Sequence, residues 1–253
     1  MRTGFVSAGC AYLFLFLPAH VVARAQSVSD GPFFARRQSF GIVAQYSNDS
    51  SHILIGQTEQ RKILNLGVSY SRRLVAGRIV NWQYDAQIFP VALESDPLTT
   101  FLTTETSPVV ASGGESGAPP LVKCAPQTTT YSYSINGVTY AGSQTSYCEG
   151  RRWTLGEGMS PIGMQWNFRP RRKLQPFLAG HGGYLYTTKP VPTTFAGSFN
   201  FTFDLDAGLE LYRSPSQSIR VGYLFHHISD DYTTQQNPGI DNGVFQVSYQ
   251  FGR

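Results

Sequence analysis

Val244-Phe245-Gln246-Val247-Ser248-Tyr249-Gln250-Phe251 stands two residues from the end of the chain, and its alternation decides the fold. Successive side chains of a strand point to opposite faces. Phe245, Val247, Tyr249 and Phe251 therefore share one face, and Gln246, Ser248 and Gln250 share the other. Such a strand suits the wall of a membrane barrel, apolar toward lipid and polar toward the lumen. The same alternation fits a soluble eight-stranded barrel turned the other way, apolar inside. The choice between them has to come from the rest of the chain.

Working outward from this strand, the same two-residue rhythm recurs in seven earlier segments, at about 39–48, 62–72, 79–93, 153–168, 174–186, 199–212 and 218–228. The connections are short and long in turn. Val75-Ala76-Gly77, Arg169-Pro170-Arg171-Arg172 and Ser214-Pro215-Ser216 read as tight turns. With the N-terminus on the periplasmic side, all three fall there and the four longer connections fall outside, the asymmetry of an outer-membrane barrel. The longest, 95–150, is rich in Thr, Ser, Gly and Pro and reads as a surface excursion with its own hairpin around 131–138.

The N-terminus carries Met1-Arg2, an apolar stretch centred on 11–17, and Ala23-Arg24-Ala25, the pattern of a secretory signal cleaved near Ala25. Cys10 falls in that signal. Export to an oxidising compartment then predicts one disulfide between Cys124 and Cys148. Only 14% of residues are charged and 13% are aromatic, yet after the signal no run reaches the roughly 20 apolar residues of a spanning helix. A formal charge of +4 is too small to argue for nucleic acid, and is compatible with a phosphorylated lipid surface. These readings converge on an all-β fold, an eight-stranded antiparallel up-and-down transmembrane β-barrel. A signal over 1–25 precedes a single barrel domain over 26–253, in the outer membrane of a Gram-negative-type bacterium. Eight strands leave an interior just large enough for side chains, which disfavours an open channel.

The stretch Gly222-Tyr223-Leu224-Phe225-His226-His227-Ile228-Ser229-Asp230-Asp231 holds a nucleophile, bases and carboxylates together. Period two places Val221, Tyr223, Phe225, His227 and Ser229 on the lipid-facing side and His226 on the lumen side. Asp241 is in phase with Phe245 on the next strand. A serine hydroxyl needs a base to take its proton, and an imidazole serves best when a carboxylate fixes its tautomer. Ser229, His227 and Asp241 can fill those roles. The plainer alternative makes His227 and Ser229 ordinary rim residues. His226 and His181 read as structural, and their spacing offers no third metal ligand. Arg61, Lys62, Arg151, Arg152 and Lys189 fall near the outer ends, where they could meet lipid phosphates.

Residues from about 158 to 251 resemble the lipid A 3-O-deacylase family, also described as acyloxyacyl hydrolase-like outer-membrane barrels. The resemblance is carried by His227-Ile228-Ser229 with an acid fourteen positions after the histidine, Asp241, and by Asn237-Pro238-Gly239. Ser160-Pro161-Ile162-Gly163 and Lys189-Pro190-Val191-Pro192 add to it. It implies a serine hydrolase acting on an ester-linked acyl chain of lipid A, with lipopolysaccharide and outer-membrane lipid as partners and no metal or organic cofactor. Asn237, or the backbone N–H groups of its loop through Gly239, would meet the oxyanion. Two departures stand out: Asp241 replaces an expected glutamate, and Asp230 follows the serine where asparagine is usual. Asp230 or Asp231 could then take the orienting role instead. Whether a homodimer forms is left open by the sequence. A non-catalytic barrel, adhesive or structural, that binds through the 95–150 excursion is the competing class.

Overall fold

The computed structural model describes residues 33–51, 53–107, 109–111, 115, 116, 119 and 123–253, so the expected signal segment lies outside the described residues. Eight long strands form the wall: β1 (Gln38–Ser47), β2 (Lys62–Ala76), β3 (Val80–Ser107), β7 (Val138–Phe168), β8 (Leu174–Thr187), β9 (Phe199–Ser214), β10 (Gln217–Ser229) and β11 (Ile240–Gly252). Each pairs antiparallel with the next, and the pairing of β1 with β11 closes the barrel. The expected eight-stranded meander is the fold. Three short connections, 77–79, 169–173 and 215–216, lie at one end, and the long ones lie at the other.

The burial pattern fixes which face is which. Phe245, Val247, Tyr249 and Phe251 are 63%, 51%, 40% and 46% exposed, whereas Gln246, Ser248 and Gln250 are 4%, 3% and 1% exposed. Apolar residues of β1, β8, β9 and β10 are turned outward in the same way. A soluble barrel would leave the polar set in water, so this wall is built for lipid. Inside, several of the buried charges pair with one another. Arg220 pairs with Asp85 at 2.9 Å and with Glu210 at 3.2 Å, and Arg36 meets Glu210 at 2.6 Å. Arg36 belongs to the segment entering β1, where Phe34 is buried against Tyr212 and the Arg36 guanidinium lies over the same ring. This segment fills the barrel end that carries the tight turns.

The 95–150 stretch differs from the loose excursion expected of it, because the wall strands continue through much of it. β3 runs 28 residues and β7 runs 31, pairing with each other as far as Ser107 and Ala141. β6 (Gln127–Ile135) adds to the outer part of β7 through a turn at Asn136 and Gly137, both at positive φ, as the predicted hairpin requires. Two short strands, β4 (Val109–Ala111) and β5 (Glu115–Ser116), pair with β3. Cys124 and Cys148, 24 positions apart in sequence, form the expected disulfide.

Candidate active site

β10 and β11 pair in a register that puts His227 directly opposite Asp241. Both lie on the outer face at the end with long loops, His227 continuing the line Val221, Tyr223, Phe225. Directly paired side chains on one face stand close enough to touch, and here His227 Nδ1 lies 2.6 Å from Asp241 Oδ1. On its other side His227 is paired with Phe203 of β9, so its remaining lateral neighbour is apolar. Gly239, at φ +62°, packs on the imidazole: a Cβ there would stand 3.1 Å from His227 Cε1.

Ser229, the next outward residue on β10, donates its hydroxyl hydrogen to Asn237 Oδ1 at 2.9 Å and accepts the N–H of Asp231 at 3.1 Å. Asn237 Oδ1 also accepts the N–H of Asp230 at 3.1 Å. The serine therefore sits beside the His227–Asp241 pair with its proton committed to Asn237. Asp230 turns away from the imidazole. It is buried and accepts from the backbone N–H groups of Gly197 and Tyr232, at 3.2 and 3.1 Å, and from the Thr234 hydroxyl. Those bonds tie the 230–239 loop to the 188–198 loop. Asp231 is exposed.

The support of Asp241 was not foreseen. Its other oxygen, Oδ2, accepts the N–H groups of Leu54 and Ile55 at 2.7 and 2.8 Å. Those residues belong to the connection between β1 and β2, which folds over the outer ends of β10 and β11. Backbone amides leave no side-chain signature, so period-two reading had nothing to detect.

The outer-end cations are mostly occupied. Arg151 binds Ser95 Oγ at 2.7 Å and the Gln60 carbonyl at 2.6 Å, and Arg152 grips Asp96 at 2.6 Å. Arg61 is fully buried and pairs with the other oxygen of Asp96 at 3.0 Å. Lys189 is exposed, and Lys62 is half-buried at the start of β2. In the lumen His226 Nδ1 bonds Asp204, and His181 is buried opposite the same aspartate across β9.

The chain matches the sequence model of the family "Lipid A 3-O-deacylase (PagL)" over residues 122–250, just over half its length and wider than the 158–251 span that carries the resemblance in sequence. No curated protein matches it. Among solved structures, Neisserial surface protein A (NspA) aligns at 10% identity over 85% of this chain and 97% of its own, with a TM-score of 0.43. The outer-membrane expressed OmpT of Vibrio cholerae aligns at 5% identity over 85% and 96%, with a TM-score of 0.23. The CymD monoaromatic hydrocarbon channel aligns at 8% over 86% and 89%, with a TM-score of 0.21. The family match covers β10, the 230–239 loop and nearly all of β11, the segments that bring His227, Ser229 and Asp241 to one outer patch, and the chain belongs to the lipid A 3-O-deacylase (PagL) family.

Proposed function

We propose that this barrel is a serine esterase that removes an ester-linked acyl chain from lipid A in the outer leaflet, with Ser229 as nucleophile, His227 as base and Asp241 as the orienting acid. The observation that carries the reading is the His227 Nδ1 to Asp241 Oδ1 contact of 2.6 Å on the lipid-facing wall, beside Ser229. That contact gives Nδ1 the proton and leaves Nε2 a lone pair, the tautomer a general base needs. The reading requires the Ser229 hydroxyl to leave Asn237 and turn, by rotation about χ1, toward Nε2. Catalytic hydrogen bonds commonly tighten only when substrate is bound.

In the first half-reaction Oγ bonds to the ester carbonyl carbon while its proton passes to His227 Nε2. In this reading Asn237 Nδ2 and the Gly239 N–H donate to the developing oxyanion. Collapse breaks the bond to the sugar oxygen, which leaves with the proton from His227. Water then attacks the acyl-serine through the same base and releases the fatty acid. Substrate reaches the patch laterally, since His227 and Ser229 lie on the outward face of β10 and not on its lumen face. Of the cations first considered, Lys189 is the better placed to meet a lipid A phosphate, because Arg151 and Arg152 already serve the fold.

A fluorophosphonate tests the nucleophile directly, since a reactive serine displaces fluoride and gains a stable Oγ–P bond. Labelling is expected on the peptide containing Ser229 and is expected to vanish in Ser229→Ala and in His227→Ala. Equal labelling of wild type and Ser229→Ala would remove Ser229 from the role.

A further inference from the structure

The described residues of the connection between β1 and β2, 48–51 and 53–61, lie across the outer ends of β10 and β11 through a series of bonds. Ser51 N–H reaches the Asp241 carbonyl at 3.2 Å, Gln57 N–H reaches Pro238 O at 2.7 Å, and the Thr58 hydroxyl reaches Gly239 O at 2.6 Å. Ser50 and Thr58 form bridges to Asn242 and Ile240. At the centre of this seam Asp241 is 0% exposed. A carboxylate removed from water is costly unless donors replace its hydration, and N–H groups aimed at the charged form replace it best.

The two oxygens have separate tasks. Oδ1 faces His227, and Oδ2 is taken by Leu54 and Ile55. The N–H of Gly56 faces the same carboxylate. Gly56 also has no room for a side chain, because a Cβ would stand 2.5 Å from Asp241 N and 2.8 Å from Asp241 Cγ. The seam is braced from outside. Gln60 Oε1 accepts the N–H of Cys124 at 2.9 Å, Glu59 Oε2 accepts that of Lys123 at 2.8 Å, and Arg61 ties the end of the loop to Asp96.

We propose that residues 54–56 are a positioning clamp, whose backbone N–H groups hold the Asp241 carboxylate at the angle that lets it orient His227. The clamp rests on reading His227 and Asp241 as base and orienting acid. It explains how aspartate serves where glutamate was expected. Aspartate is one methylene shorter, and with its second oxygen fixed by the loop its first oxygen meets an imidazole directly opposite in the register. Leu54, Ile55 and Gly56 act through Asp241 and touch no substrate in this account.

The test compares full-length wild type, Gly56→Ala, Thr58→Val and Ile53→Ala in detergent micelles, each confirmed folded. Two readouts are taken: kcat and KM on a micellar carboxylic ester, and the far-downfield proton resonance of the His227 Nδ1–H. Gly56→Ala is expected to lower kcat by about 10- to 100-fold, with KM within about twofold, and to abolish or strongly broaden that resonance. Thr58→Val loosens the seam without touching Asp241. It is expected to move both readouts the same way by about 3- to 10-fold in rate. Ile53→Ala, outside the clamp, should match wild type. An unchanged resonance and kcat in Gly56→Ala, or in Thr58→Val where Gly56→Ala does not fold, overturns the clamp. A resonance lost in Gly56→Ala while wild type cleaves no ester supports the clamp and counts against the esterase reading.

Discussion

Asp241→Asn is expected to lower kcat by about 1,000- to 10,000-fold while leaving the barrel folded and KM little changed. The reason is the tautomer. An asparagine amide can present an N–H to His227 Nδ1, which moves the imidazole proton to Nε2 and leaves nothing to accept the proton of Ser229. Asp241→Ala should cost about as much, since the imidazole then has neither partner nor fixed angle. Asp241→Glu is the sharper case, because glutamate is the residue that the family resemblance leads one to expect. The close packing of Gly56 on the Asp241 carboxyl carbon leaves no space for another methylene. Asp241→Glu should therefore lose about 10- to 100-fold. Steady-state kinetics on a micellar ester would check the series. An Asp241→Asn enzyme retaining more than about a tenth of wild-type kcat would remove Asp241 from the base's support.

The parts of this site that lie on strands were legible, because period two is a rigid rule. His227 and Ser229 followed from the phase of Val221, Tyr223 and Phe225, and Asp241 from the phase of Phe245. The structure pairs His227 with Asp241 residue for residue. What was not legible depends on groups without pattern. Leu54 and Ile55 contribute backbone amides across sequence separations of 187 and 186 residues. Arg61 looked like a rim cation, but its partner Asp96 lies 35 residues away and buries it completely. The outward continuations of β3 and β7 were missed for a related reason. Alternation is visible only where one face is buried, and β6, for example, is exposed along almost all its length. The lumen was readable as polar, though not as a set of specific ion pairs.

Those ion pairs carry the second large expectation. Arg220→Ala should destabilise the barrel by about 3–5 kcal/mol, because it leaves Asp85 and part of Glu210 as buried charges without compensation. Glu210 keeps Arg36 at 2.6 Å and the Ser218 hydroxyl at 2.6 Å, so Asp85 bears the greater loss. Replacing both members of a buried pair by neutral groups of similar size is often neutral. Arg220→Met combined with Asp85→Asn should therefore recover most of the lost stability. Urea unfolding in lipid vesicles measures both. A single Arg220→Ala variant within about 1 kcal/mol of wild type would mean that water in the lumen, and not the arginine, compensates Asp85.

The two expectations separate the scaffold from the chemistry. Arg220 faces the lumen and His227 the lipid, on alternating positions of the same strand. Loss of the first should change stability, and loss of the second turnover.

The most direct measurement is mass spectrometry of lipid A from cells expressing wild type beside Ser229→Ala, with both barrels shown to be folded in the outer membrane. The account predicts lipid A lighter by one acyl chain with wild type and unaltered lipid A with Ser229→Ala. Identical lipid A in the two strains, or the same loss with and without the Ser229 hydroxyl, would contradict it.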